Sequence, residues 1–167
     1  MPATINSTDT SAGWHEKGQK FLLTGTVYKK DGKSPAPRVI VYYYQTDNDG
    51  YYSAKDEMDE KAKRHGHIRG WVKTGSDGKY SIYTIRPAPY PGTSNPSHIH
   101  MIVKEPNINE YYIDELVFDD DKLLTQEIRR NFRKLGGDGV LKPAVAGNLQ
   151  TAQHNIILGL NIPNYPE

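Results

Sequence analysis

The chain has 167 residues, a formal net charge of +1 and a mean hydropathy of −0.73. Its length predicts one domain with its own core. Its charge gives no indication of a nucleic-acid partner, and no apolar run is long enough to span a membrane. The absence of cysteine excludes disulfides, thiolate metal sites and a cysteine nucleophile, so any metal ligands must be nitrogen and oxygen atoms.

The first twenty residues contain a polar tract and no signal peptide. This composition predicts a flexible leader over residues 1–20, followed by one domain over residues 21–167. The leader is compatible with a native terminus and with the remainder of a removed targeting segment. Both a cytoplasmic and an exported protein therefore stay open.

Short segments rich in Val, Ile, Thr and Tyr, punctuated by Gly and Pro, predict strands at residues 22–28, 39–45, 68–74, 79–85, 97–103 and 156–160. The turn sequence Ser76-Asp77-Gly78 predicts a β-hairpin between the strands on either side. Residues 54–64 indicate a short exposed helix or a loop, and the spacing of apolar residues predicts a helix over residues 123–135. The fold class is mainly β, an antiparallel β-sandwich with one or two short helices.

Two histidines, His98 and His100, are the most specific local feature. Residues two apart on a strand point to the same face, so both imidazoles can reach one metal ion. The pattern is short, and an ordinary pair of surface or core histidines explains it equally well. Tyr90 follows a stiff proline-rich segment and Tyr52 follows a turn, although a single tyrosine in such a chain more often serves packing.

The order of four segments is more specific than any one of them, and it resembles the intradiol ring-cleavage dioxygenase family. That family includes catechol 1,2-dioxygenases and protocatechuate 3,4-dioxygenases. The likeness extends over residues 22–163 and also includes the final apolar segment at residues 157–163. The four segments are Gly50-Tyr51-Tyr52-Ser53, Thr74-Gly75-Ser76-Asp77-Gly78-Lys79-Tyr80, Thr84-Ile85-Arg86-Pro87-Ala88-Pro89-Tyr90-Pro91 and Ser97-His98-Ile99-His100.

The resemblance implies one non-haem Fe(III) per chain, bound by Tyr52, Tyr90, His98 and His100. It implies that Tyr52 and His98 are equatorial ligands, and that Tyr90 and His100 are axial. It further implies that the substrate displaces Tyr90, whose phenolate then accepts a proton from the diol. The implied reaction uses O2 to open a catechol-type ring between its two hydroxylated carbons and yields a muconate-type diacid. A homo-oligomer is left open.

Two further candidate catalytic positions, Asn95 and Glu115, depart from the family pattern. The family usually has arginine at the first position and glutamine at the second. Asn95 can donate a hydrogen bond but brings no charge. A carboxylate at Glu115 would repel an anionic substrate unless it pairs with a base such as Arg69. These residues predict a preference for neutral catechols over carboxylated ones.

Two alternatives remain beside the enzyme. One is a metal-binding relative with weak or no activity, which Asn95 and Glu115 favour. The other is a non-catalytic, prealbumin-like β-sandwich that serves as a binding module. Among the other polar residues, His65 and His67 are predicted to lie in a surface loop, and a position at the mouth of the active site stays open for them. Residues 119–121 are predicted to begin a helix.

Overall fold

The computed structural model describes residues 1–166, which form two facing β-sheets with short helices at the margins. The first sheet has the order β1-β5-β2-β11-β10, and β12 also pairs with β2. Its strands are β1 (Thr8–Thr10), β2 (Lys20–Tyr28), β5 (Lys79–Ile85), β10 (Ala144–Ala146), β11 (Leu149–Gln153) and β12 (Ile156–Ile157).

The second sheet has the order β4-β3-β6-β8-β9, and β7 also pairs with β6. Its strands are β3 (Ile40–Gln45), β4 (Arg69–Lys73), β6 (His98–Lys104), β7 (Tyr111–Tyr112), β8 (Leu116–Phe118) and β9 (Val140–Leu141). The helices are a 3₁₀ turn (Ala12–His15), α1 (Glu60–Lys63) and α2 (Gln126–Asn131). The prediction of a mainly β sandwich with short helices is confirmed.

The core lies between the sheets, because alternate residues of the long strands point inward. In β2 every second residue is buried, including Phe21 and Leu23, and in β3 Val41 and Tyr43 are buried in the same way. The residues between them in β3 point to the outer face of the second sheet. That outer face carries the polar and aromatic side chains discussed below.

The predicted hairpin around Ser76-Asp77-Gly78 is wrong. β4 pairs with β3 and β5 pairs with β2, so residues 74–78 cross from one sheet to the other. Gly78 lies against β2, since its carbonyl accepts a hydrogen bond from Val27 N at 2.8 Å. Thr74 fixes the other end, because its Oγ1 donates to Ala36 O at 2.7 Å and accepts from Val39 N at 3.0 Å.

Residues 8–15, which the sequence analysis assigned to a flexible leader, are part of the fold in this structure. β1 pairs in parallel with β5, and Asp9 Oδ2 accepts a hydrogen bond of 2.7 Å from the hydroxyl of buried Tyr43. Ser11 is buried and donates to Thr84 Oγ1 at 2.9 Å. Polar composition predicted disorder here, but edge pairing with β5 satisfies the backbone of this segment.

The helix predicted over residues 123–135 is confined to α2. Its N-cap is Thr125, whose Oγ1 accepts from Ile128 N at 3.2 Å, so the prediction that residues 119–121 begin the helix is wrong. Asp121 instead accepts hydrogen bonds from the backbone and hydroxyl of Ser97 at 2.8 and 2.6 Å. α2 ends at Asn131, because the backbone of the next residue, Phe132, is extended. In the described part of the chain, every helix is too short or too polar to cross a bilayer.

Candidate metal centre

The four residues proposed as ligands from the sequence come together at one end of the second sheet. The hydroxyl of Tyr52 lies 2.7 Å from that of Tyr90 and 2.8 Å from His100 Nε2. The hydroxyl of Tyr90 lies 2.9 Å from His98 Nε2. Two oxygen and two nitrogen atoms therefore form a continuous cluster, although the residues are up to 48 positions apart in the chain.

The two tyrosines come from loops that are joined to each other. Thr46 Oγ1 donates to Ala88 O at 2.6 Å, and Ala88 N donates to Asp47 O at 3.2 Å. Gly50 has φ +86°, and a Cβ atom there would lie 2.2 Å from Pro89 O. Glycine is therefore required at this close approach, which brings the Tyr52 loop against the Tyr90 loop.

The histidines are oriented by the nitrogen that faces away from the tyrosines. His98 Nδ1 lies 2.8 Å from Pro96 O, and His100 Nδ1 lies 3.1 Å from Glu115 Oε1. A carbonyl or carboxylate oxygen accepts a hydrogen bond, so both Nδ1 atoms carry the proton and both Nε2 atoms present a lone pair. This is the arrangement of a metal-binding histidine and its hydrogen-bond partner.

The donor atoms are close enough together to bind one ion. Each separation in the cluster is a hydrogen-bond distance, and atoms this close can also share one cation at ligand distances of roughly 2.0–2.1 Å. Burial lowers the pKa of His98, which favours the neutral, ligating imidazole. Burial also raises the pKa of Tyr52 and Tyr90 above the usual value, so these phenols stay protonated unless a cation stabilises the phenolates.

Glu115 also lies close to His98 and His100. One possible ligand atom from each of the three residues lies within 4.8 Å of the other two. Its carboxylate, however, contacts the Nδ1 side of His100, opposite the atom that faces Tyr52. We therefore assign Glu115 as the partner that orients His100. The hydrogen bond from His100 lowers the pKa of Glu115, although burial opposes the shift.

The wall beside His100 is aromatic, and sequence reasoning missed it. Tyr44 pairs with His100 across β3 and β6, and their rings stack at 4.4 Å and 15°. His65 stacks on Tyr44 at 3.9 Å and 8°, and its Nδ1 lies 2.7 Å from the hydroxyl of Tyr42. His65 lies in a loop, as predicted, and is a partly buried member of this wall. Strand alternation alone places Tyr42 and Tyr44 on the face opposite Tyr43.

Asn95 and Glu115 both reach the open side of the cluster. They line a cavity of about 240 Å³ together with Tyr90, His98 and the side chains of Ile128 and Phe132. A second cavity of about 520 Å³ shares Glu115, Ile128 and Phe132 and extends past His100 and Tyr112.

The arginines nearest in sequence to the four motifs, Arg69 and Arg86, line neither of the two cavities beside the cluster. Arg86 forms two hydrogen bonds with Asp120, at 2.7 and 2.9 Å, and its guanidinium lies 4.4 Å from the ring centre of Phe118. Arg69 lies over the Trp71 ring. Arg69 is therefore not the partner of Glu115 that the sequence suggests. In the structure the partner of Glu115 is His100, because these residues face each other where β6 and β8 adjoin.

Comparison with known proteins gives a consistent result. A family model described as Dioxygenase matches residues 3–155. Hydroxyquinol 1,2-dioxygenase of Nocardioides simplex is 28% identical over 126 residues, which are 66% of this chain and 41% of that protein. The protocatechuate 3,4-dioxygenase beta chain of Burkholderia cepacia is 27% identical over 116 residues, or 66% of this chain and 49% of that one. The chain therefore spans less than half the length of either relative.

A solved structure has the same fold. It is the dioxygenase domain of a dioxygenase carbohydrate-binding protein fusion from Streptomyces sp. SirexAA-E. The TM-score is 0.66 at 21% identity, and the match covers 92% of this chain and 87% of that domain. At this identity the match supports the fold and leaves the chemistry to the residues of the site.

Proposed function

This chain belongs to the intradiol dioxygenase family, and from that premise we propose that it is a non-haem Fe(III) enzyme acting on a catechol-type diol. The proposed reaction uses O2 to cleave the aromatic ring between its two hydroxylated carbons and yields a muconate-type diacid. One observation carries the proposal. The donor atoms follow one another in the order His98, Tyr90, Tyr52 and His100, and each lies 2.7–2.9 Å from the next.

The donor set suits ferric iron. Phenolate is a hard, anionic oxygen ligand and imidazole is a neutral nitrogen ligand, so two of each offset two of the three positive charges of Fe(III). We propose one ion per chain, bound by the four residues of the cluster. When bound, the ion would act as a Lewis acid that lowers the pKa of the diol hydroxyls and makes the aromatic ring reactive towards O2.

The two tyrosines differ in how they meet the cavity. Tyr90 lines the 240 Å³ cavity, whereas Tyr52 lines neither that cavity nor the larger one beside it. This difference supports a role for Tyr90 as the phenol that an entering substrate contacts and whose oxygen, as the iron-bound phenolate, would accept a proton from a diol hydroxyl. Tyr52, which contacts both Tyr90 and His100, is placed to stay in the cluster.

The cavity favours a diol without a negative charge on the ring. Glu115 is half-exposed, and the lowered pKa of its carboxyl keeps it ionised at neutral pH. The only other polar side chains lining the smaller cavity are Tyr90, His98 and the uncharged Asn95. Ile128 of α2 and Phe132, which follows the helix, supply an apolar side against which the ring of the diol would pack. The names of the relatives include both neutral and carboxylated substrates and do not decide this point.

A second candidate function is a metal-binding protein with little ring-cleaving activity. The observation that favours it is Asn95, which occupies the cavity where the family usually has a charged guanidinium. Removal of one preorganised charge costs on the order of 10²–10³ in rate, which lowers turnover without removing the metal.

The test is iron analysis combined with oxygen uptake. Protein reconstituted with iron is expected to hold about one ion per four-ligand site and to be red to purple from tyrosinate-to-iron charge transfer. Addition of neutral catechols should consume one O2 per diol. Iron with colour but no uptake across a panel of catechols would favour the weak or inactive relative. Colourless protein after loading and reoxidation would leave only a binding module.

A further inference from the structure

The loop that carries Tyr52 is held by turn and side-chain contacts rather than by strand pairing, because residues 51–59 form no helix or strand. On one side, Asp47 Oδ1 accepts a hydrogen bond from Tyr51 N at 3.0 Å, and Asp47 Oδ2 accepts one from the hydroxyl of Ser53. This is the side that is joined to the Tyr90 loop. The position of Tyr52 therefore also depends on the contacts that hold the other side.

His67 holds that other side at Ser53. The carbonyl oxygen of Ser53 accepts two hydrogen bonds from this one residue, from its backbone N at 2.9 Å and from its Nδ1 at 2.6 Å. The preceding residue, Gly66, has φ +67°, and a Cβ atom there would lie 2.9 Å from Tyr52 Cα. His67 and Gly66 therefore lie directly against the backbone of Tyr52 and Ser53.

Glu16 binds the far nitrogen of the same imidazole. Its Oε1 atom lies 2.7 Å from His67 Nε2, and the side chain of His67 is only 10% exposed. A carbonyl and a carboxylate both accept hydrogen bonds, so His67 donates to Ser53 and Glu16 at once when its ring carries both protons. The negative charge of Glu16 stabilises that form of the ring.

Glu16 is itself fixed against the first sheet. It follows the 3₁₀ turn, and its backbone N donates to Gly13 O at 3.0 Å. Gly13 is buried, and Trp14 of the same turn packs edge-on against Tyr83 of β5, with ring centres 5.2 Å apart. The turn therefore gives Glu16 a fixed position from which it holds His67.

We propose that Glu16 and His67, here called the clamp, position Tyr52 in the metal cluster, an inference that rests on the proposed function because Tyr52 must be a metal ligand. Both ring nitrogens of His67 are engaged by Ser53 and Glu16, so the clamp acts on Tyr52 through the backbone of Ser53. Both members are positioning residues.

Loss of the clamp would leave Tyr52 held from one side only. Its hydroxyl could then move away from Tyr90 and His100, which it contacts at 2.7 and 2.8 Å. A ligand that must first be ordered costs conformational entropy when the metal binds, so metal affinity would fall. The segment before β2 would thereby contribute to a site from which it is distant in sequence.

The clamp can be tested first in metal-free protein. The backbone amides of Tyr51 and His67 are both hydrogen-bonded within the loop, so their hydrogen exchange reports its opening. Glu16→Ala is expected to speed exchange at both amides about three- to tenfold and to leave the amides of β6 unchanged. Glu60→Ala is the matched control, because it removes an exposed ion pair of 2.6 Å with Lys63, and it should exchange as the parent does.

Iron binding gives the second readout. In a Tyr90→Phe background Tyr52 is the sole tyrosinate of the proposed site, and Glu16→Ala is expected to shift its visible charge-transfer band. In the parent background Glu16→Ala should lower iron affinity about three- to tenfold, less than loss of a direct partner of a ligand. His67→Asn retains a donor near the position of Nδ1, whereas His67→Gln retains one near that of Nε2. His67→Asn should therefore stay closer to the parent, because it keeps the bond to Ser53.

The outcomes separate the clamp from the proposed function. Unchanged exchange at both amides in Glu16→Ala and His67→Gln would overturn the clamp, and so would faster exchange that includes β6, which indicates general destabilisation. Faster exchange at the two amides with unchanged iron affinity and an unchanged band would overturn the positioning of Tyr52. Faster exchange at the two amides in protein that binds no iron in any variant would support the hold on the loop and contradict the proposed function.

Discussion

His100 and Glu115 form a carboxylate–histidine pair, with Nδ1 and Oε1 3.1 Å apart. The other imidazole nitrogen of His100 faces the hydroxyl of Tyr52 at 2.8 Å. Glu115 therefore acts on the metal cluster through His100 and, at the same time, presents its charge to the cavity. The first two predictions separate these effects.

Replacement of Glu115 should weaken iron binding through His100. Loss of a hydrogen-bond partner of a ligand typically costs 10–100-fold in metal affinity, so Glu115→Leu is expected to fall in that range. Glu115→Gln retains an acceptor oxygen and should lose less. Competition with a chelator measures the affinity, and Glu127→Gln on the exposed side of α2 is the control. Equal affinity in all three variants would show that the pair does not support the ligand.

The charge of Glu115 should also select against carboxylated rings. The ratio of kcat/KM for protocatechuate to kcat/KM for 4-methylcatechol is expected to rise roughly three- to tenfold in Glu115→Gln, a modest effect because the side chain is half-exposed. The ratio cancels any common loss of iron. Asn95→Arg, which leaves the His100 contact intact, should raise it further. Protocatechuate as the better substrate of the parent protein would refute the charge argument.

The two tyrosines should respond differently to loss of their hydroxyls. Tyr52→Phe is expected to lose most of its iron, because Tyr52 contacts two other members of the cluster and lines neither of the two cavities beside it. Tyr90→Phe should retain more iron but lower kcat, since the cavity-facing phenolate that accepts the diol proton is gone. Iron content and the visible absorption band are the measurements. Tyr111→Phe, outside the cluster, should match the parent, and a reversed order of Tyr52→Phe and Tyr90→Phe would contradict these roles.

His154 should make the fold sensitive to acid. It is buried, its Nε2 atom has no hydrogen-bond partner among the described residues, and burial lowers its pKa from 6.5 to about 4. Between pH 6.5 and pH 4 the unfolded chain binds more protons at His154 than the folded chain does. The contribution of His154 to the free energy of unfolding is therefore complete above pH 6.5 and is lost as the pH drops towards 4. The loss at pH 5 is roughly 2 kcal/mol.

Urea unfolding at several pH values measures this dependence. His154→Gln cannot titrate, so its free energy of unfolding should change less between pH 7 and pH 5 than that of the parent protein. The comparison concerns the slope, because the substitution itself is expected to lower stability at every pH. Parallel pH profiles for the two proteins would show that another group is responsible.

The sequence predicted features that depend on neighbouring residues and missed those that depend on distant ones. The period of β6 placed His98 and His100 on one face, and the strand boundaries around residues 22–28 and 79–85 were close. Ser76-Asp77-Gly78 is a turn, but Gly78 bonds to Val27, which lies far away in the chain, and the preceding Thr74 bonds to Ala36 and Val39. Local turn chemistry could not show that the turn crosses between sheets.

The surroundings of the metal cluster were least accessible to sequence reasoning. The run Tyr42-Tyr43-Tyr44 indicated a buried strand, yet only the pairing of Tyr44 with His100 shows which ring stands beside the metal cluster. The partner of Glu115 follows from the neighbouring strands β6 and β8, and the sequence alone suggested Arg69 instead. The metal-ligand roles of the four clustered residues remain a proposal that iron analysis will test.

The contact of Gly50 with Pro89 limits how this protein can be re-engineered. The loops that present Tyr52 and Tyr90 share backbone hydrogen bonds and meet where even one extra carbon atom has no room. A library that varies the length or sequence of one loop must therefore vary the other with it. Saturation mutagenesis of position 50 should select glycine. Substitutions in α2 and at Tyr112 are better suited to change the substrate range, because these residues line the 520 Å³ cavity without joining the two loops.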